Sequence, residues 1–322
     1  MTKVSVTLST LQHFDRPGPR YTSYPTAVEF DEAIGEQTYR RKLADADRLE
    51  PGVPLAAYVH LPFCRERCHF CACNVVATPH APVAARYLDY LEREIVAVAE
   101  HLPHRRTLAQ MHWGGGTPTY YLPHQLEELF RHITRYFAIE DDAEVAAEID
   151  PRVTTAEHLE TLTRLGFNRL SLGVQDSTPG VQAAIGRGQT FEQTARLMRA
   201  ARAIGFNEGI NFDLIYGLPL QTLDSFRVNL DQVLELAPDR VALYSFAFVP
   251  WIKPNQRRLR AEELPAPALK LELYLSALDR LASAGYVPIG MDHFAVPTDE
   301  LVAARDQGRL HRSFMGYTVK RA

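Results

Sequence analysis

Four cysteines stand within ten residues of one another, in the segment YVHLPFCRERCHFCACN (58–74). Cys64, Cys68 and Cys71 form a C-x3-C-x2-C pattern, and Cys73 follows two residues later. Thiolates are the usual protein ligands of iron–sulfur clusters. Spacings this short suit a compact loop whose sulfurs face one cube, and three ligands leave one of four irons open. Disulfides here would close only trivial loops. A structural zinc site and a run of inert thiols are the two bland alternatives. Zinc usually takes two separated CxxC-type pairs, which this chain lacks.

Other residues could do chemistry beside that loop. Gly114, Gly115 and Gly116, followed by Thr117 and Pro118, make either a simple chain reversal or a place where backbone approaches a ligand closely. Glu148 in AEIDPR (147–152) is an acid at an expected strand end, where a carboxylate can accept hydrogen bonds from hydroxyls. Gln175 closes another expected strand, and Arg187 follows it. Arg187 is a surface charge on the ordinary reading and an anion partner on the functional one. Asp213 lies inside the apolar run NFDLIYGL (211–218), where a charge is costly unless paired. Tyr58 is flanked by apolar residues and would ordinarily be core.

The elements that must carry these residues alternate along the chain. Expected strands are LAAYVHLPF (55–63), LAQMHWGG (108–115), AEVAAEID (143–150), RLSLGV (169–174), GINFDLIYGL (209–218), RVALYSFAF (240–248) and YVPIGMDHF (286–294). Amphipathic helices are expected at 83–102, 122–137, 155–166, 191–205, 223–236 and 266–285, several ending at a glycine (Gly166, Gly205, Gly285). Repeated strand–helix units imply a parallel sheet, and six of them favour a partial barrel over an open sheet. Barrels gather the carboxyl ends of their strands into one mouth, where the cysteine loop, the Gly114–Thr117 turn, Glu148 and Gln175 then fall. Residues 1–54 read as an extended N-terminal arm and lead-in, 55–295 as the barrel, and 296–322 as an irregular region with a short helix near 299–308.

Bulk composition narrows the class. The chain has 322 residues, 46% of them hydrophobic, enough for a sizeable core. Lys and Arg total 35 against 39 Asp and Glu, with no long basic run, which disfavours nucleic acid as a partner. The opening MTKVSVTLSTLQHF has no apolar signal segment, and no stretch is long enough for a membrane span. The expectation is a soluble, cytoplasmic monomer.

The cysteine segment resembles the oxygen-independent coproporphyrinogen III oxidase (dehydrogenase) family of the radical S-adenosylmethionine (SAM) superfamily. So do HWGGGTPTY (112–120), AEIDPR, NRLSLGVQD (168–176), NFDLIYGLP (211–219), GMDHFA (290–295), PRYTSYPTA (19–27) and HRSFMGYT (311–318). The three-cysteine spacing alone marks the superfamily; Cys73, the N-terminal PRYTSYPTA and HRSFMGYT point to the family. The resemblance implies an α/β fold, a partial (β/α)6-type barrel with an N-terminal extended arm. It implies a [4Fe–4S] cluster on Cys64, Cys68 and Cys71, and two molecules of SAM. Tyr58 and Gly115 would serve the first SAM, Glu148 its ribose, and Phe70 the cluster or SAM. Gly116, Thr117, Gln175, Arg187, Asp213 and Ala247 would serve the second, with Ala247 in the sixth strand. The implied reaction converts two propionates of coproporphyrinogen III to vinyl groups in haem biosynthesis, giving protoporphyrinogen IX. It needs an electron donor for the cluster and a final electron acceptor that the sequence does not identify.

The resemblance also implies a C-terminal helical domain that this sequence lacks, and a glutamine where Met315 stands. Two other readings stay open within the superfamily: a haem-binding chaperone and a radical SAM tetrapyrrole methyltransferase.

Replacing Cys64, Cys68 or Cys71 singly by Ala is expected to abolish the [4Fe–4S] absorbance of the reconstituted protein, whereas Cys73→Ala retains it. Loss with Cys73→Ala, and retention in one of the other three, would reverse the ligand assignment.

Overall fold

The computed structural model describes residues 7–14 and 29–320. The PRYTSYPTA segment lies outside the described residues. A short helix α1 (Leu8–Phe14) and the helix α2 (Glu36–Leu49) precede the first strand, β1 (Leu55–Leu61). The cysteine loop follows, holding two minimal strands, β2 (Phe63–Cys64) and β3 (Val76–Ala77), that pair in parallel.

Five more strand–helix units complete the repeat. After α3 (Ala81–Glu100) come β4 (Thr107–Gly115) with α4 (Pro123–Thr134), β5 (Ala138–Ile149) with α5 (Ala156–Arg164), and β6 (Arg169–Gln175) with α6 (Pro179–Ala184) and α7 (Phe191–Ile204). β7 (Ile210–Tyr216) with α8 (Leu223–Leu236) and β8 (Arg240–Ser245) with α9 (Pro267–Ser283) follow. The strands stand in chain order β1-β4-β5-β6-β7-β8, all parallel, and the sheet does not close on itself. The expected six-unit partial barrel is the observed architecture.

Local chemistry sets the boundaries. Thr155, Thr190 and Thr222 cap α5, α7 and α8, each accepting from the amide three residues on. Gly166, Gly205 and Gly285 take positive φ where α5, α7 and α9 end, a conformation that costs other residues a clash at Cβ.

Within each strand, side chains alternate between the helices outside and the interior. Val59, Leu61, Met111, Trp113, Val145, Ala147, Leu170, Leu172, Phe212 and Leu214 are buried under the helices. Trp113 meets Phe167 edge-to-face, with ring centroids 4.8 Å apart. The intervening residues Tyr58, His112, Glu148, Ser171 and Asp213 line the interior.

Three expectations are corrected. The run 286–294 is not one strand: β9 (Val287–Gly290) and β10 (His293–Ala295) form a hairpin, turning at Met291, whose φ is 44°. β10 pairs antiparallel with β8, so the sheet ends in a reversed pair rather than one added strand. The sixth parallel strand stops at Ser245, which leaves Ala247 in the loop beyond it. Residues beyond 296 are also more ordered than expected. α10 (Glu300–Asp306) is followed by a second hairpin, β11 (His311–Ser313) and β12 (Gly316–Thr318), with Phe314 and Met315 at its turn.

Helix α10 is tied to the amino ends of β6 and β8 by charge. Arg240 Nε donates to Asp299 Oδ2 at 2.7 Å, and Arg169 and Arg240 both reach Glu300 Oε1, at 2.8 and 3.2 Å. The Arg240 and Asp299 side chains are only 13% and 5% exposed. Asp299 also caps α10 through the Leu301 amide. Among the described residues, no helix is long and apolar enough to cross a membrane.

Removing one member of a buried ion pair strands the other charge in low dielectric. Arg240→Ala is therefore expected to lower unfolding free energy by about 3–5 kcal/mol, seen as a lower urea midpoint with an unchanged slope.

Candidate active site

The cysteine loop leaves the carboxyl end of β1 and is pinned by contacts from distant parts of the chain. His69 N donates to Ile185 O at 2.8 Å, and His69 Nδ1 lies 3.1 Å from Ala184 O. Asn255 Nδ2 lies within 3.2 Å of three loop carbonyls, those of Cys68, His69 and Cys71. Gln256 Nε2 donates to Phe70 O at 2.9 Å and to Ala247 O at 3.1 Å. The β4 turn closes the other side: Gly116 N donates to Leu61 O and Thr117 N to Phe63 O, both at 2.9 Å. A Cβ at Gly116 would sit 2.6 Å from Pro62 O, so only glycine allows this approach.

The thiols differ in environment. Cys68 is buried, with Arg187 Nη1 3.5 Å and Arg152 Nη2 3.7 Å from its sulfur. Both guanidiniums are oriented by Asp150, which takes Arg152 in a two-toothed grip and lies 3.4 Å from Arg187. Burial opposes ionisation of Asp150, but Arg187 and Arg152 outweigh it and keep the carboxyl below its ordinary range. Cys71 is held down to about 6 by a hydrogen bond with Cys73 and by the charges of Arg67 and Arg187, against the effect of burial. The same bond and burial push Cys73 up. Burial lifts Cys64 to about 11, partly offset by the Thr117 hydroxyl 3.5 Å away.

This donor set fits an iron–sulfur cluster. The thiols of Cys64, Cys68, Cys71 and Cys73 line one space, and two guanidiniums stand beside the Cys68 sulfur. A zinc ion would draw its sulfurs to roughly 3.8 Å from one another, given a Zn–S bond of about 2.3 Å. A cube instead binds them through separate irons.

Beyond the loop, two spaces adjoin. One, of about 160 Å³, is lined by the cysteines, Gly115, Gly116, Thr117, Arg152 and Arg187. The other, of about 510 Å³, runs along the barrel interior past Tyr58, His112, Tyr244, Ala247, Arg312 and Met315. Phe70, Cys73, Glu148, Ser171, Gln175 and Asp213 border both. Tyr58 stacks on His112 at 5.9 Å rather than entering the apolar core. Glu148 accepts from His112 Nε2 and from the Gly115 amide, each at 3.2 Å. Burial pushes its carboxyl up, yet His112 and that amide more than compensate and hold it low. Gln175, at the end of β6, takes φ of 66°, the left-handed region that a non-glycine residue seldom occupies.

Asp213 accepts from Ser171 Oγ at 3.1 Å and Asn211 Nδ2 at 2.9 Å. Burial, with the charge of Glu148 adding to it, raises its carboxyl to about 7.

The structure thus brings Cys64, Cys68, Cys71, Phe70, Gly115, Gly116, Thr117, Glu148, Gln175, Arg187 and Asp213 to one space, with Tyr58 and Ala247 on the larger cleft beside it. Residue patterns missed Asp150, Arg152, His112 and Asn255. The first two stand inside the noted AEIDPR run, where an acid and an arginine two residues apart were a usable signal. Asn255 carries no such signal, because its partners lie more than 180 residues away.

The radical SAM superfamily profile matches residues 58–233. The oxygen-independent coproporphyrinogen III oxidase of Helicobacter pylori (strain J99) is 46% identical over 309 residues, covering 96% of this chain and 67% of that protein. The Escherichia coli (strain K12) protein of the same name is 45% identical over 313 residues, at 97% and 67%. The structure of E. coli coproporphyrinogen III oxidase, described as a radical SAM enzyme, superposes with a TM-score of 0.91 at 43% identity, covering 98% of this chain and 70% of that one. The chain spans about two thirds of the length of these relatives.

An acid with a raised folded-state pKa binds its proton more tightly folded than unfolded, so its ionisation erodes stability as pH rises towards 7. Asp213→Asn removes that loss. In ligand-free protein, its thermal midpoint is expected to exceed the parent's by a margin that widens from pH 5 to pH 7 and then levels off. A margin independent of pH would assign Asp213 an ordinary carboxyl.

Proposed function

The chain belongs to the oxygen-independent coproporphyrinogen III oxidases of the radical SAM superfamily, and from that membership we propose how its residues divide the work. The reaction is the oxidative decarboxylation of coproporphyrinogen III in haem biosynthesis, with an iron–sulfur cluster and SAM as cofactors. Together, the bound cluster and SAM supply a carbon radical able to take hydrogen from an unactivated C–H bond.

We assign Cys64, Cys68 and Cys71 to the cluster. The Asp150–Arg152–Arg187 set places two guanidinium N–H groups at the Cys68 sulfur, offsetting part of the cluster's negative charge and fixing the loop. Cys73 stays a thiol, raised by its bond to Cys71. Phe70 walls the cluster from the larger cleft, which it also borders.

Two SAM molecules would occupy the adjoining spaces. The first is held by Tyr58, Gly115 and Glu148, whose ionised carboxylate accepts from ribose hydroxyls. The second is held by Gly116, Thr117, Gln175, Arg187, Asp213 and Ala247. With its carboxyl raised to about 7, Asp213 is protonated in part of the molecules at neutral pH, and that form can donate a hydrogen bond to a ligand oxygen.

Arg312 stands at the wall of the larger cleft over the Tyr317 ring, 5.2 Å from its centroid, where it offers a cation to a propionate. Met315 lines the same wall with a thioether, which cannot supply an amide's donor–acceptor pair.

One observation carries the reading: the cysteine loop, its arginine pair, Glu148 and Asp213 all border one space at the sheet's carboxyl edge. A chaperone would leave the porphyrinogen's mass unchanged, and a methyltransferase would add mass rather than remove it.

Anaerobic incubation of reconstituted protein with coproporphyrinogen III, SAM and a reductant is expected to yield products lighter by one and then two formic-acid equivalents (CO2 plus two hydrogens). Mass spectrometry reads this directly. Addition of a methyl group, or unchanged porphyrinogen with SAM cleaved, would refute the assignment.

A further inference from the structure

The loop 246–264 between β8 and α9 does two things at once. On its inner side, Asn255 and Gln256 hold the carbonyls of Cys68, His69, Phe70 and Cys71. On its outer side, Trp251 and Ile252 are 71% and 65% exposed, an unusual loss of apolar burial for two adjacent large residues. Trp251 is the most exposed large hydrophobic side chain among the described residues.

Directly after them, residues 253–260 (KPNQRRLR) carry Lys253, Arg257, Arg258 and Arg260 and no acid, in a chain whose net charge is -4. Arg257, Arg258 and Arg260 are exposed. Arg260 pairs with Glu263; among the described residues, Lys253, Arg257 and Arg258 form no ion pair. An apolar centre rimmed by cations is the anatomy of a transient protein-docking surface, and its sign selects an acidic partner.

Its position says what kind of partner. Asn255 and Gln256 sit inside the same short segment and touch the backbone of the cluster loop. Trp251 and Ile252 stand in the same loop as these two residues, three to five positions before them in the chain. We propose that the surface formed by Trp251, Ile252, Lys253, Arg257 and Arg258 docks a small acidic one-electron carrier protein that reduces the cluster. This rests on the cluster assignment above and deepens it by locating the entry of the electron. One electron leaves the carrier's reduced flavin or iron–sulfur group, which is oxidised by one unit. It enters the oxidised cluster, which is reduced by one unit, and no bond or proton is transferred in that step.

The test uses the reconstituted chain and a reduced acidic flavodoxin as the probe, with dithionite as a small-molecule control. In the parent, the rate of cluster bleaching by flavodoxin and the affinity measured by calorimetry should both fall as salt is raised from 20 to about 300 mM, because the Debye length shrinks below the span of the patch. Arg257→Glu with Arg258→Glu should slow flavodoxin-driven reduction tenfold or more and weaken binding to match, while dithionite reduces parent and variant equally. Trp251→Ala should weaken binding with little change in its salt dependence.

Flavodoxin reduction unaffected by both variants overturns the proposal. So does binding that survives charge reversal unchanged. Absence of any cluster absorbance in the parent would instead fail the cluster assignment, a result visible before flavodoxin is added.

Discussion

The two-residue repeat of a strand is the constraint on which the site depends. Six parallel strands stand side by side, and each sends alternate side chains to the helices and to the interior. Tyr58 pairs in register with His112, Glu148 with Ser171, and Gly173 with Asp213. Those registers set polar groups from five strands on one inner wall, while Val59, Trp113, Ile149, Leu172 and Phe212 pack outward into the core. A slip of one residue in β5 or β7 would bury Glu148 or Asp213 under the helices and turn an apolar side chain to the cleft. Hydrophobic packing under the helices and the chemistry of the interior are therefore selected together.

Charge inside that wall is arranged by pairing. Asp150 orients two arginines, which in turn aim at the Cys68 sulfur. Glu148 is balanced by His112 and an amide. Asp213 has only neutral partners in Ser171 and Asn211, and it faces Glu148, so it alone of the three acids rises towards neutrality. Carboxyls within one wall are thus shifted in opposite directions, Asp150 and Glu148 down and Asp213 up, because neighbours rather than residue type decide which form is favoured.

Another network works from outside the barrel. The cysteine loop has only minimal strand structure of its own, and its carbonyls would be costly to leave unpaired. They are met by Asn255 and Gln256, from a loop that follows the last parallel strand. The first and sixth units of the sheet are thereby joined at the cysteines, and the order of that loop depends on the whole sheet having formed.

Much of this was legible in the chain. The strand–helix rhythm, the six units, the glycine stops and the cysteine spacing all follow from local periodicity and turn chemistry, which act over a few residues. Asp213 stood out because a charge in an apolar run violates a local rule. The β9–β10 and β11–β12 hairpins were not legible, since a short hairpin and an irregular strand share the same composition. The hold of Asn255 on the cysteine loop, the approach of Arg152 and Arg187 to the Cys68 sulfur and the stack of Tyr58 on His112 were hidden for a different reason. Each is a contact across distant sequence, and its energy exists only once register and packing bring the partners within a few ångströms. Sequence alone determined which chemistry the chain can attempt, through residue types whose reactivity and spacing are intrinsic. Tertiary structure decided which acid is charged, which sulfur is escorted and where the surface opens, because those properties belong to neighbourhoods and not to residues.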